Sequence, residues 1–479
     1  MTPSVIARQR FHPAARAWQL RRRVDGQSQW ALAFFAVILL GWAAAFPLGF
    51  RSSLTILTAV GFAGAVYGLK DPFVGGIGVG ILCTLDALSR VYLFTGGLLR
   101  WNSFNYWLLG VMALQAFRLV AARHLPMRIL AAFAALLVVQ LWPSQDRRNG
   151  MVHILNLLSA LGVFLYFLRF PKSPSAWFWL AALLGSVGAV GGFVFNLVRQ
   201  TLPDINSNAY SYFPLTALAA ICISFRRVEG RASRETLLLL LALINAIWVF
   251  LSASRGSLLI AAVCVLFLWI SAPRSHQRLA IPVVVLLVLA GAGWHFREEY
   301  RYAAEKLLKL TDQGRTLANR TSGRSDLALA GWYSFCRSPL GIGTGGFAQE
   351  FAEEGATEVQ SFRLGDRRQA HSAWIKTLVE NGVVGTFLLV WFVLSFAWVG
   401  WRRRSAGVLP LGILVTGMLS VAFLSTEFAG KGLWFVVAGG TVSLYRGYRH
   451  RRGVRMVRRA PFGCPTRASG PASAGTARI

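Results

Sequence analysis

Apolar runs of about 20 residues, the length that crosses a bilayer, recur along this chain from Trp30 to Tyr445. Backbone amides and carbonyls in lipid must be hydrogen-bonded within their own segment, so such runs predict α-helices. The short alternating segments of a transmembrane β-barrel do not occur. The 479 residues are 55% hydrophobic and 14% charged. We therefore predict an all-α, polytopic membrane protein with about 12–14 transmembrane helices.

Fourteen segments are candidate spans. They are 30–46, 52–69, 72–89, 104–121, 127–142, 150–168, 177–197, 209–225, 235–251, 256–272, 279–295, 374–400, 407–426 and 432–446. Twelve crossings remain if the two weakest, 72–89 and 127–142, only dip into the membrane. Either number is even, which places both termini on one side.

The net charge of +31 is explained by topology better than by nucleic-acid binding. Arginines cluster near both ends of the chain, at Arg8, Arg10, Arg16, Arg21, Arg22 and Arg23 and at Arg446, Arg449, Arg451, Arg452, Arg455, Arg458 and Arg459. Basic flanks stay in the cytoplasm. We expect an inner-membrane protein with cytoplasmic tails at 1–29 and 447–479, the second disordered, and no nucleic-acid partner.

Residues 296–373 form the longest polar interruption, between the predicted membrane regions 30–295 and 374–446. The interruption holds 10 of the 19 acidic residues. Because Arg274 and Arg278 predict a cytoplasmic start for span 279–295, the loop falls on the periplasmic side. A membrane protein that gathers its polar residues in one loop is expected to use that loop for function.

Within this loop, residues 327–335 carry apolar side chains at helical spacing and predict an amphipathic helix that ends at Pro339. Such a helix either lies on the membrane surface or packs on a small core of the loop. The next segment, Gly-Ile-Gly-Thr-Gly-Gly (341–346), formally satisfies G-x-G-x-x-G, but it follows a helix and not a strand, so we reject a dinucleotide site. A tight turn that brings backbone close to a partner, such as an anionic ligand, is the better use.

Three residues on the predicted outer face are candidates for chemistry: Arg199 after span 177–197, Arg255 before span 256–272, and His371 where the loop re-enters the membrane. Each arginine alone is explained by snorkelling to the lipid headgroups, and a lone histidine is more often structural than catalytic. Together they favour an anionic ligand, because guanidinium groups bind phosphate bidentately. The near-neutral pKa of histidine suits proton transfer.

Several short motifs follow one another between residues 252 and 385. They are Ser-Ala-Ser-Arg-Gly-Ser ending at Ser257, Arg324, Trp332, Ser-Pro-Leu-Gly-Ile-Gly over 338–343, His-Ser-Ala-Trp over 371–374, and Glu-Asn-Gly-Val-Val-Gly over 380–385. In this order they resemble the O-antigen ligase/polymerase superfamily, as does the layout of many spans, one large outer loop and three later spans. The chain departs from the family at Ser372, where asparagine is usual.

The resemblance implies a membrane-embedded, metal-independent glycosyltransferase of the GT-C type that uses no cofactor. Its partners would be the bilayer, an undecaprenyl-diphosphate-linked glycan as donor, and a glycan, lipid A–core or protein hydroxyl as acceptor. Carried over by motif, Arg255 and Arg199 would bind the diphosphate, and His371 would act on the acceptor hydroxyl as base or positioner. The weaker substrate contacts expected in the loop are Arg324, Gly341 and Gly343.

The alternative function for this chain is a transporter or a flippase for lipid-linked glycans. Transporters place ionisable groups near the bilayer midplane. Asp86 and Arg90, in and just after span 72–89, are the hint, although their spacing suits a self-satisfied helical pair equally well.

The cysteines do not indicate a metal site or a disulfide in the loop. Cys83, Cys222, Cys264, Cys336 and Cys464 lack metal-ligand spacing, and the loop contains only Cys336. We interpret all five as small core residues. The loop also lacks an Asp-x-Asp metal motif, so no metal ligand is predicted.

Overall fold

The computed structural model describes residues 50–68, 71–89, 125–171, 173–201, 207–228, 232–252, 254–272, 323–355, 370–425 and 431–458, with isolated positions between 290 and 305. The regular secondary structure of these residues is helical, without a strand. The helices are α1 Phe50–Tyr67, α2 Pro72–Ser89, α3 Leu125–Val139, α4 Arg147–Arg169, α5 Pro174–Thr201, α6 Ser207–Val228, α7 Ala232–Leu251, α8 Arg255–Ser271, α9 Arg324–Arg337, α10 Phe347–Glu350, α11 Ala373–Arg402, α12 Leu409–Ser425 and α13 Lys431–Arg458.

The all-α prediction is confirmed for the part of the chain that the structure describes. Four segments are long and apolar enough to cross a membrane by length and composition, namely Arg147–Phe167, Pro174–Phe193, Ala232–Leu251 and Ala373–Arg402. Shorter apolar helices are Pro72–Thr84, Pro126–Val139, Arg255–Ser271, Leu409–Ser420 and Gly432–Tyr445. The predicted spans 30–46 and 104–121, and most of 279–295, lie outside the described residues. The count of 12 or 14 crossings stays a prediction.

Local sequence explains where several helices begin. Pro72 and Pro174 are the first residues of α2 and α5, where the missing amide proton breaks no helical hydrogen bond. Asp146 caps α4, and its carboxylate accepts from the backbone N of Asn149 at 3.0 Å. These starts fix the ends of the helices whose apolar sides pack together in one large core.

Aromatic side chains hold the helices of this core together. The rings of Phe167 in α4 and Phe435 in α13 meet edge to face, with centroids 4.9 Å apart. The rings of Phe170 and Trp177 meet in the same way at 5.1 Å, joining the end of α4 to the start of α5. Each such pair contributes about 0.5–1.5 kcal/mol beyond the burial of apolar area.

Basic residues gather at one end of the bundle. Arg227 in the last turn of α6 donates to Oγ of Ser443 in α13 at 3.1 Å, and Arg403 after α11 donates to the carbonyl of Leu444 at 3.0 Å. The Arg227 guanidinium also lies 4.1 Å from the ring centre of Trp177, near the start of α5. The ends of α6 and α11 therefore meet at one end of the bundle.

Helix α11 is divided at Gly382, whereas the sequence predicts one uninterrupted span over 374–400. Gly382 has φ 61° and ψ −156°, a conformation open essentially to glycine alone. After it, α11 exposes a stripe of large apolar side chains, Val383, Val384, Phe387, Val390, Trp391, Leu394, Trp398 and Trp401. From 383 to 402 the helix rises about 30 Å, the thickness of the hydrocarbon core. The part of α11 after Gly382 is therefore long and apolar enough by itself to cross a membrane.

The predicted amphipathic loop helix is present as α9, and it ends before Pro339 as the sequence indicates. One face packs in a small core of the loop, whose members are Leu327, Ala330, Phe347, Phe351, Ala370 and Val379. Of the two packing alternatives, the structure shows the contact with the loop core. The opposite face of α9 is exposed.

The cysteines follow the predicted burial with one exception. Cys83, Cys222 and Cys264 are free thiols buried in the bundle, as small core residues should be. The core interpretation is wrong for Cys336, which is exposed, because it lies on the side of α9 that faces away from the loop core. Cys464 lies outside the described residues.

Candidate functional site

Serine hydroxyls organise the turn between α7 and α8. The Oγ atom of Ser257 lies 3.0 Å from that of Ser254 and 2.5 Å from that of Ser211 in α6. Ser252 Oγ donates to the carbonyl of Val249 at 2.6 Å. These buried contacts fix the start of α8, whose first residue is Arg255. A helix N-terminus carries a partial positive charge, and the half-buried guanidinium of Arg255 adds to it.

Arg324 is the first residue of the loop helix α9, and it lies within range of the charge of Arg255. Its side chain is half-buried, and this burial, followed by the charge of Arg255, lowers the pKa of the Arg324 guanidinium. In the same turn, Ser325 Oγ donates to the carboxylate of Asp326 at 3.2 Å. Two arginines, each the first residue of a helix and distant in sequence, are therefore near enough for their charges to interact. Such a place favours an anion.

Arg199 lies in the last turn of α5, which ends at Thr201. Helix α5 packs against α6, and α6 packs against α8, the helix that begins at Arg255. The Arg199 side chain does not belong to the part of the chain that the structure describes. Its role as a second diphosphate ligand stays a prediction.

His371 has an exposed side chain on an unusual backbone. Its φ is 49°. Among the described residues other than glycine, His371 is the one with a positive φ. Such a conformation costs of order 1–3 kcal/mol, and persists at sites where surrounding contacts impose it. The neighbours Ala370 and Ala373 are both buried, so the backbone is held on either side of a histidine that reaches solvent.

Ser372 caps the N-terminus of helix α11. Its Oγ accepts from the backbone N of Ile375 at 3.4 Å, and its carbonyl accepts from the backbone N of Lys376 at 3.0 Å. Serine and asparagine are both preferred at this position. The departure from the usual asparagine therefore preserves the start of α11 next to His371.

Arg324 and His371 are attached to the same small core. Leu327, one turn after Arg324, and Ala370, directly before His371, both belong to it. The structure thus fixes Arg324 and His371 in one unit, although they lie on different elements.

The glycine segment 341–346 packs against backbone. Gly341, Gly343 and Gly345 have φ of 95°, 99° and 91°. The amides of Ile342 and Gly343 donate to the carbonyls of residues 379 and 380 at 3.0 and 2.9 Å. A Cβ at Gly341 would overlap the carbonyl of residue 380. These contacts explain the glycines structurally, and substrate binding by Gly341 and Gly343 stays a prediction.

A buried polar cluster beneath this segment escaped the sequence analysis. Nζ of Lys376 contacts Nε2 of His153 in α4 and lies 3.9 Å from Oε1 of Glu380. The same Glu380 oxygen accepts from the backbone N of Phe347 at 3.3 Å, and Oγ1 of Thr344 lies 3.1 Å from Oδ1 of Asn381. The cluster lines a small cavity and joins α4, the glycine segment and α11. Its one sequence signal was a lysine and a glutamate four residues apart in an apolar segment.

A metal site is not indicated by the described residues, and the transporter alternative stays untested. Among them, no group of three or more His, Cys, Asp and Glu side chains is placed to hold a metal ion. The transporter alternative was prompted by Asp86 and Arg90. The side chain of Asp86 and the whole of Arg90 do not belong to the part of the chain that the structure describes.

The comparisons with known proteins agree with this arrangement. The sequence profile of the family described as O-Antigen ligase matches residues 238–390, which run from α7 to the stripe of α11 and include Arg255, Arg324 and His371. No curated protein matches the chain. Residues 238–390 thus carry an O-antigen ligase domain, and this match supports the resemblance to the O-antigen ligase/polymerase superfamily.

Proposed function

We propose that the protein is a membrane glycosyltransferase. It transfers or polymerises a glycan from an undecaprenyl-diphosphate carrier onto an acceptor hydroxyl at the periplasmic face, in the synthesis of a cell-surface polysaccharide such as lipopolysaccharide or an exopolysaccharide. The observation that carries this proposal is the proximity of Arg255 and Arg324 at two helix N-termini. The family match supports the same class of activity.

The arginines hold the diphosphate of the carrier. A diphosphate leaving group gains negative charge as the glycosidic bond breaks, and fixed cations in a partly buried place stabilise that charge. Arg255 and Arg324 supply two guanidinium groups, and Arg199 supplies a third from the end of α5. They provide the positive charge that a metal ion supplies in other phosphate sites, which is why we propose a metal-independent reaction of the GT-C type.

His371 acts on the acceptor. The acceptor oxygen attacks the anomeric carbon of the donor sugar, the bond from that carbon to the diphosphate oxygen breaks, and undecaprenyl diphosphate leaves with the electron pair. The hydroxyl proton passes to the imidazole of His371, which then releases it to water. The exposed side chain on a fixed backbone suits a base that must meet a bulky acceptor. Ligase, polymerase and protein-glycosylating enzymes differ in which hydroxyl takes this place.

The reaction belongs on the periplasmic side of the inner membrane. Arg255, Arg324 and His371 lie at helix ends opposite to the basic end formed by Arg227 and Arg403. Because basic ends stay in the cytoplasm, both termini are cytoplasmic and the loop is periplasmic.

Reconstituted glycan transfer tests the proposal. Purified protein in proteoliposomes receives an undecaprenyl-diphosphate glycan and, in turn, lipid A–core, a second lipid-linked glycan or an acceptor protein, and the product is identified by mass spectrometry. The wild type should form one product, and Arg255→Ala and His371→Ala should form none while remaining folded. Full transfer by both variants would exclude the mechanism.

A further inference from the structure

The loop helix α9 presents an apolar face to its surroundings. Leu329, Trp332, Tyr333 and Cys336 follow one another at helical spacing, and the first three are 45%, 51% and 41% exposed. The buried residues of α9, including Leu327 and Ser334, lie on the opposite side. Three large apolar side chains exposed on one face of a short helix are unusual unless something covers them.

Both ends of α9 are fixed at the ends of apolar helices of the bundle. Its first residue, Arg324, lies within range of the charge of Arg255 at the start of α8. Just after its last turn, the carbonyl of Pro339 accepts from the backbone N of Val383 at 3.0 Å, where the part of α11 that is long enough to cross a membrane begins. A helix fixed at these two points lies along the level at which α8 and α11 leave the membrane.

The apolar face continues into a surface that lipid must cover. Leu340 is 76% exposed and adjoins Val383, the first residue of the exposed stripe of α11. The carbonyl of Leu340 also accepts from Nε2 of Gln140 at 3.1 Å. Two residues on, Trp142 is 83% exposed, with the Arg147 guanidinium 5.8 Å from its ring centre. Tryptophan, tyrosine and arginine together at one level are typical of the membrane–water interface.

We propose that α9 is an interfacial helix, whose face of Leu329, Trp332, Tyr333 and Cys336 lies among the lipid headgroups of the outer leaflet. Lipid is the occupant because this face is continuous, through Leu340, with the lipid-facing stripe of α11. The helix thereby holds Arg324 at the height of the headgroups, where the phosphates of a lipid-linked substrate also lie. The inference depends on the chain spanning a membrane and is independent of glycan transfer.

A spin label on Cys336 measures the depth of this face directly. Cys464→Ser removes the cysteine outside the description, and Cys83, Cys222 and Cys264 are buried. In vesicles of phosphatidylethanolamine and phosphatidylglycerol, oxygen reports lipid and a water-soluble nickel chelate reports water. The matched control is Glu353→Cys with Cys336→Ser, because Glu353 is exposed and polar on the same loop. The ratio of oxygen to nickel accessibility should be several-fold higher at Cys336 than at position 353.

Equal ratios at the two positions would overturn the proposal, because they would place α9 in water. A Cys336 label shielded from both reagents and broadened by a second label would also overturn it, in favour of contact between two copies of the chain. Trp332→Cys with Cys336→Ser provides a second label on the same face. It should give the same high ratio, and a water-like value there would count equally against an interfacial helix.

Discussion

At the scale of single residues, the proximity of Arg255 and Arg324 indicates an anion-binding site, whereas each sequence motif alone is weak evidence for one. Each arginine is explained alone as a cation near lipid headgroups. Together they place two like charges within interaction range at two helix starts, and the diphosphate that we propose as ligand would relieve that repulsion. Arg324 therefore has a larger expected role than its sequence motif indicates.

Replacing Arg324 by alanine should lower kcat/KM for glycan transfer by about 100-fold, the size expected for one lost charge-stabilising donor. Arg324→Lys should recover part of the activity, because it keeps the charge but not the bidentate geometry. Arg337→Ala is the control, since Arg337 lies at the other end of α9 and pairs with Glu350 at 3.2 Å. Equal losses for Arg324→Ala and Arg337→Ala would show that the helix matters and the cationic pair does not.

The strained backbone at His371 predicts that a glycine there makes the protein more stable but inactive. His371→Gly should raise the free energy of unfolding by about 1 kcal/mol, because glycine adopts a positive φ without strain. The same variant should lose transfer activity. Thermal unfolding in detergent, beside the transfer assay, measures both, with His371→Ala as the comparison that keeps the strain. A His371→Gly protein that is less stable than His371→Ala would refute the account of the strained backbone.

Sequence patterns predicted Arg255, Arg324 and His371 as separate candidates. They did not predict which of these residues lie near one another. The contact between Lys376 and His153 joins residues 223 positions apart, a separation at which local spacing carries no information. Likewise, the positive φ of His371 could not be predicted from the sequence, because only a few per cent of residues other than glycine adopt such a conformation.

At the scale of elements, the kink at Gly382 determines how the loop joins helix α11. The kink turns the amide of Val383 toward Pro339, and the glycine segment 341–346 then pairs with the carbonyls of 379 and 380. Apolar periodicity predicted the helices on both sides correctly. It missed the kink because a single glycine inside an apolar run is also compatible with a continuous helix.

Gly382→Ala should destabilise the protein by at least about 1–3 kcal/mol, the cost of a non-glycine residue in this conformation. A Cβ there would also overlap the carbonyl of Pro339, so the segment after α9 should separate from α11. Faster tryptic cleavage at Arg337 and a lower midpoint of thermal unfolding would report this.

Gly439→Ala in α13 is the matched control, because its Cβ would meet its nearest neighbour at 3.5 Å, an ordinary contact. This variant should keep the wild-type midpoint or exceed it slightly. If Gly382→Ala behaved in the same way, the kink would not be what holds the loop to α11.

At the scale of the whole molecule, the proposed orientation rests on charge. The basic end formed by Arg227 and Arg403 lies opposite to the start of α8. Composition and hydropathy sufficed for the all-α class. The packing order of the helices, such as α11 between α3 and α12, could not be predicted, because many apolar faces fit one another equally well.

Reporter fusions should show this orientation in cells. Alkaline phosphatase should be active when fused after Glu353 in the loop and inactive when fused after Arg404. Green fluorescent protein should give the opposite result, since it fluoresces only when it folds in the cytoplasm. Active phosphatase at Arg404 would reverse the proposed sides of the membrane.

The central claim is a division of labour, in which the arginines bind the diphosphate and the histidine reacts. The direct measurement is the thermal shift that undecaprenyl diphosphate, without a glycan, produces in purified variants, because a ligand that binds the folded protein raises its unfolding midpoint, and more so when it binds more tightly. His371→Ala should show the same shift as the wild type, and the double variant Arg255→Ala/Arg324→Ala should show none. A full shift in the double variant, or its loss in His371→Ala, would contradict the account.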